Sequence, residues 1–80
     1  MCPLADPPQH VQDELTTVLK RRYAKIDRSN ESITYDAGNL PKYKYSATVR
    51  YSMSMTANFE YRPTNGTQQY HWYCVQDWKD

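Results

Sequence analysis

The chain has 80 residues, enough for one domain, and a domain of this size buries only about 60% of the surface that its unfolded chain exposes. Ten basic and nine acidic residues leave a net charge of +1, which argues against a dedicated nucleic-acid binder. No stretch reaches the roughly 18 apolar residues of a membrane span, so no transmembrane segment is predicted. Eight tyrosines and two tryptophans instead predict an amphipathic, aromatic core.

The first predicted element is an amphipathic helix that begins near Pro7, with Asp6 as its N-cap. Residues 1–6 are predicted to form an N-terminal arm, and residues 7–78 a single α+β domain. Apolar side chains recur along the helix at three- and four-residue steps, which places them on one face. They are Val11, Leu15, Val18, Leu19, Tyr23 and Ile26.

Strands follow the helix. Residues 32–36 alternate, and Tyr35 is expected to face Tyr43 across a turn. From Tyr43 to Tyr61 every odd position is apolar or aromatic and every even position is polar, which predicts a sheet with one buried face. Because no Gly, Pro, Asn or Asp lies between Lys44 and Ala57, we expect one long bent strand. A turn inside it would need an odd-length loop.

The pair Asn65-Gly66 is typical of a two-residue type I′ hairpin turn. That turn predicts a register with Tyr61 opposite Tyr70, and Met53 on the buried face. The predicted fold is therefore α+β: the helix packs on one face of a three-stranded, or four-stranded, antiparallel meander with a long bent central strand. Such a sheet leaves an unpaired edge, which we expect to serve a homodimer or a partner.

Cys2 and Cys74 are the two cysteines of the chain. A disulfide between them would close a loop of about 70 residues and contribute roughly 4 kcal/mol, and it would favour a periplasmic or secreted location over a cytoplasmic one. Alternatively, Cys74 is a small buried hydrophobe and Cys2 a free thiol. In a third interpretation Cys2 is the lipidated first residue of a mature lipoprotein.

The polar face of the sheet is the surface predicted to bind a partner. Its candidate binding residues are Tyr73, His71, Arg50, Arg62 and Lys44. The predicted register also sets His71 opposite Glu60, a pair that acid–base chemistry would use only inside a cleft, so it is interpreted as a cross-strand contact. The cysteines and histidines lack the short spacings of zinc sites, and no catalytic residue, metal or cofactor is predicted.

A cluster of basic side chains lies at the end of the helix. These side chains belong to Lys20, Arg21, Arg22, Lys25 and Arg28. They would suit a phosphate or an acidic partner, but they also complement the helix dipole as a solvated helix end. The leading hypothesis is a small protein-interaction or inhibitor-like module without catalytic activity. The alternatives are a nucleic-acid-associated module that uses this basic end, and a small-ligand-binding domain.

Overall fold

The computed structural model describes residues 6–39, 41–64, 66 and 69–78. In this part of the chain one helix packs on one face of a four-stranded antiparallel sheet whose strands follow chain order. The predicted α+β class is confirmed, and of the two strand numbers predicted, four is the one observed. The elements are α1 (Gln9–Arg22), β1 (Ser32–Asn39), β2 (Tyr43–Arg50), β3 (Thr56–Pro63) and β4 (Tyr70–Gln76).

The helix begins two residues later than predicted, and Asp6 does not cap it. Pro8 occupies the N-cap position without a side-chain cap, and its carbonyl accepts the N–H groups of Val11 and Gln12 at 2.9 and 3.1 Å. The reason lies in the Pro7-Pro8 pair, because a residue that precedes proline is pushed out of the helical region. Within the described residues, no helix has the length and apolar character that crossing a bilayer demands.

The apolar stripe of α1 faces the sheet, as predicted. Val18 and Ile26 pack at its margin, and the rest of the stripe is buried. On the sheet side the core consists mainly of aromatic and small side chains. The buried residues are Val11, Leu15, Leu19, Tyr23, Ala47, Val49, Tyr51, Ala57, Phe59, Tyr61 and Trp72. Full burial of one such leucine contributes about 1.5–3 kcal/mol, so this contact is the main link between the two layers.

The run predicted as one long bent strand is instead two strands, β2 and β3, joined by the loop 51–55. This loop has an odd length, so Val49 pairs with Ala57 and both strands keep their apolar residues on the same face. Tyr51 N–H closes the loop onto Met55 O at 2.9 Å. No described non-glycine residue has a positive φ. The turn therefore needs no Gly or Asn, which is why its sequence carries no turn signal.

Partners across β1 and β2 differ from the prediction by four positions. Tyr35 lies opposite Ala47 rather than Tyr43, because β1 continues to Asn39 and only residues 40–42 connect the strands. Gly38 permits this tight connection, since a Cβ atom there would collide with the backbone of Tyr43 and Lys44. The shift is an even number, so the same side chains remain on the inner face.

Between β3 and β4 the predicted two-residue turn is wrong. The strands end at Pro63 and begin again at Tyr70, and Tyr61 pairs with Trp72 instead of Tyr70. Beyond Pro63 the Thr64 N–H donates to the carbonyl of Gln69 at 2.6 Å, so the connection between the strands is longer than the expected two-residue turn. Gly66 does adopt a positive φ of 80°, while Asn65 lies outside the described residues. The longer loop shifts the register by two, which again preserves the faces.

The sheet curves around its inner face. Tyr35 and Trp72 come from the two edge strands, yet their ring centroids are 6.1 Å apart. Ala47, the partner of Tyr35 on β2, has a short side chain and leaves room for these large rings to approach each other. Tyr61 adds to this aromatic packing, since its ring centroid lies 5.1 Å from that of Trp72. The inner face is thus filled by rings from the edges and by α1.

Candidate functional site

The outer face of the sheet has no helix or strand of the described chain packed on it. It carries the even-numbered side chains of β2 and β3, most of them polar, and Tyr73 of β4. Tyr73 is 38% exposed, a high value for a ring in the middle of a strand. A face of this kind meets solvent or a partner, so it is the first place to look for function.

Three side chains of this face form a connected group, which we call the Arg62 cluster: Glu60, Arg62 and Tyr73. One carboxylate oxygen of Glu60 accepts a hydrogen bond from Arg62 Nε at 2.9 Å and forms an ion pair with Arg62 Nη2 at 2.8 Å. The guanidinium carbon lies 5.9 Å from the centre of the Tyr73 ring. Glu60 and Tyr73 are direct neighbours across β3 and β4. The strands therefore hold Arg62 between an acid and an aromatic ring.

A recess of about 550 Å³ adjoins this cluster at the end of the outer face. Asn39, Lys42 and Tyr43 line it together with Glu60 and Arg62. Sequence reasoning missed Tyr43 and Lys42, because the alternation assigned Tyr43 to the core side and placed Lys42 at the start of the next strand, opposite Asp36. No signal in the sequence could place them beside Arg62, since their position depends on the register of β1 with β2.

Of the other residues predicted to bind a partner, Arg50 lies apart from the Arg62 cluster, whereas His71 lies beside it. Arg50 is exposed at the far end of β2, roughly 20 Å from Lys44 at about 3.3 Å per residue. The Lys44 ammonium lies 5.6 Å from the centre of the Tyr70 ring. His71 is opposite Arg62, not Glu60, because the register differs by two. The predicted His71–Glu60 contact is therefore wrong.

Comparison with family models, curated proteins and solved structures found no match to this chain. Function must be argued from the surface alone. The outer face carries a guanidinium held by a carboxylate and an exposed tyrosine ring, two side-chain types that are enriched in protein interfaces. Among the described residues, no three His, Cys, Asp or Glu side chains are grouped as metal ligands would be.

The edge of β4 is tied to the helix. Glu14 Oε2 accepts the backbone N–H of Trp72 at 3.3 Å and lies 3.2 Å from His71 Nδ1. The indole N–H of Trp72 donates to the carbonyl of Val11 at 2.8 Å. These contacts satisfy an outward-pointing amide of the edge strand and fix the helix above β4. An edge closed in this way is a poor template for another strand.

Asp77, just after β4, joins the end of the helix to the sheet. It accepts a hydrogen bond from the Tyr23 hydroxyl and forms an ion pair with Arg22 at 3.2 Å. Burial, and then the nearby Asp77 carboxylate, raise the pKa of Tyr23 above its ordinary value. The phenol therefore stays protonated and continues to donate to Asp77 through the neutral pH range.

Two members of the predicted basic patch are engaged in ion pairs. Arg22 pairs with Asp77, and Arg28 lies 3.4 Å from Glu31. The remaining members make no ion pair within residues 6–39, 41–64, 66 and 69–78. They are Lys20, Arg21 and Lys25. Three of the five basic side chains of the patch are therefore outside these two ion pairs. They lie around the C-terminal end of α1, which is the negative end of the helix dipole.

Cys74 is a half-buried cysteine on the inner side of β4, and it has no disulfide partner among the described residues. Burial raises the pKa of its thiol, an effect that the nearby Arg22 guanidinium partly offsets. The thiol is therefore protonated near neutral pH and a weak nucleophile. Cys2 lies outside the described residues, so a Cys2–Cys74 disulfide stays a prediction.

Proposed function

We propose that this chain is a small protein-binding module without catalytic activity, which docks a partner protein through the outer face of its sheet. The Arg62 cluster is the centre of the proposed surface. Its support is the packing of the Arg62 guanidinium between Glu60 and Tyr73 on a face that no described element covers. Arginine and tyrosine are the side chains that most often carry binding energy in protein interfaces.

Preorganisation strengthens this proposal. A long arginine side chain normally loses conformational freedom when a partner immobilises it, at a cost of about 0.5–1.5 kcal/mol. Here the two contacts with Glu60 already restrict Arg62 in the free protein. The neighbouring recess, lined by Tyr43 and Lys42, is large enough to receive a side chain of the partner.

The test begins with a partner recovered by photo-cross-linking from a benzoylphenylalanine placed at Tyr73. Titration calorimetry then compares the full chain with Tyr73→Ala and Arg62→Ala variants. Each substitution is expected to weaken binding by about 30-fold or more, the effect of an interface hot spot. Thermal unfolding should change little, because both side chains are exposed.

The matched control is Arg21→Ala, which removes the same side-chain type from the helix on the other layer. It should leave the affinity unchanged. Arg50→Ala and Lys44→Ala measure how far the footprint extends beyond the Arg62 cluster. Equal affinity of the wild type, Tyr73→Ala and Arg62→Ala would eliminate this surface, and a loss confined to Arg21→Ala would move the site to the basic helix end.

A further inference from the structure

The two edge strands, β1 and β4, differ in what contacts their outer sides. At β4, Glu14 and Val11 of the helix accept the backbone and indole N–H groups of Trp72. At β1, one side pairs with β2, and no strand of the described chain pairs with the other. β1 also lacks the features that usually protect an edge. It contains no proline or lysine, and Asp36 is its one charged residue.

A groove runs between α1 and this open edge. Its volume is about 540 Å³. Gln12 and Thr16 line its helix side, and the half-buried side chains of Ile33 and Tyr35 line its sheet side. The groove exists because the contacts to Trp72 hold the helix toward β4, which leaves the inner face of β1 incompletely covered. An added strand at the β1 edge would place alternate side chains against this groove.

The groove is acidic. Asp6 and Glu31 line it, and Asp13 is close enough to act on the Tyr35 hydroxyl. Burial raises the pKa of Tyr35, and these three carboxylates raise it further. Arg28 is paired with Glu31 and offsets only part of the negative charge. Pairing of two copies through β1 would merge two acidic grooves, so the charge favours a basic occupant over a second copy.

We propose that the β1 edge and the acidic groove bind an extended, basic segment of another protein. The backbone of that segment pairs with β1 as a fifth strand. Its alternate Lys or Arg side chains lay their aliphatic stems on Ile33 and Tyr35 and place their charged ends among the carboxylates. This site uses different residues from the Arg62 cluster, so either proposal can fail without the other.

The probe is a fluorescein-labelled ten-residue peptide in which Lys alternates with Thr and Val, titrated with the full chain at low salt. Fluorescence anisotropy should show saturable binding that weakens as salt rises, and no binding when Glu replaces every Lys. The double variant Asp13→Asn, Glu31→Gln should bind about five- to tenfold more weakly, because exposed charge pairs contribute modestly. Asp27→Asn, at an exposed acid that does not line the groove, is the matched control and should bind like the wild type.

Strand pairing itself is tested with two N-methylated peptides. In an extended peptide alternate amides point to opposite edges, so one peptide is methylated on all the amides of one edge and the second on all the amides of the other edge. Only one of the two should lose affinity, because a paired strand uses the amides of one edge. The proposal is overturned if the basic peptide does not bind, or if both methylated peptides bind equally well. It is also overturned if sedimentation shows a dimer, or if the β1 amides that point away from β2 already resist hydrogen exchange in the free protein.

Discussion

Tyr51 and Tyr23 provide a paired test of how this small core is held together. Tyr51 is 5% exposed, and its hydroxyl has no hydrogen-bond partner among the described residues. Its ring packs edge-on against Tyr23, with centroids 5.0 Å apart. Phenylalanine keeps this ring and removes only the buried oxygen. Because an unsatisfied buried hydroxyl costs about 1–3 kcal/mol, Tyr51→Phe should raise the free energy of unfolding by about 1 kcal/mol.

Tyr23→Phe is the matched control, with the opposite expected sign. The Tyr23 hydroxyl donates to the Asp77 carboxylate, and a hydrogen bond to a charged group contributes about 1.5–3 kcal/mol. Arg22 still contacts Asp77 after the substitution, so a loss near the lower end of that range is expected. For a chain of this length, 1 kcal/mol corresponds to a Tm shift of about 4–8 °C.

Both variants are measured by urea unfolding, followed through tryptophan fluorescence because Trp72 is buried, and by thermal circular dichroism. A fall of 1 kcal/mol or more for Tyr51→Phe would show that its hydroxyl is satisfied in the folded protein, and would refute the reasoning. A neutral Tyr23→Phe would show that the contact with Asp77 contributes nothing to stability. Either conclusion requires that the free energy of unfolding fall with urea concentration at the same slope in the variant and the wild type, since a changed slope indicates an altered unfolded state.

Three further predictions concern the edges of the sheet and its tyrosines. Gly38→Ala should lower the free energy of unfolding by about 2 kcal/mol or more in urea unfolding, because the new Cβ would collide with the backbone at Tyr43. Glu14→Ala should cost about 1 kcal/mol and speed hydrogen exchange at the Trp72 amide, whereas unchanged exchange would argue against the edge contact. Burial raises the pKa of Tyr61 and of three other tyrosines, so the unfolded chain loses its phenolic protons first. The tyrosine contribution to the free energy of unfolding should be constant below about pH 10. Above that pH it should fall, by at most about 1.4 kcal/mol per pH unit for each tyrosine, as measured by urea titrations at a series of fixed pH values.

The alternation of apolar and polar residues predicted the faces of the sheet but not its partners. A strand can shift by two positions without exchanging its faces, so both wrong registers still place Phe59 and Tyr61 in the core. Met53 shows the limit of this reasoning. It continues the odd-numbered apolar series, yet it is 100% exposed, because the loop 51–55 removes it from the sheet.

The contacts that join the layers could not be predicted from spacing. Glu14 and Trp72, or Tyr23 and Asp77, are far apart in the chain, and their meeting depends on where the helix lies over the sheet. In a chain of average charge content, many acid and amide pairs could meet in this way. The helical stripe predicted which face of α1 is buried, but it carried no information about its position between β1 and β4.

The position of the helix also determines which surfaces are left for partners. By holding α1 over β4, Trp72 and Glu14 close one edge of the sheet and open the groove beside β1. The two-residue shift of register has a comparable effect on the outer face, because it places Tyr73 opposite Glu60 and within reach of Arg62. In the predicted register Tyr73 would face Asn58, and the three side chains would not meet. The groove thus depends on the position of the helix and the Arg62 cluster on the register of β3 with β4, and the spacing of residues predicted neither of these.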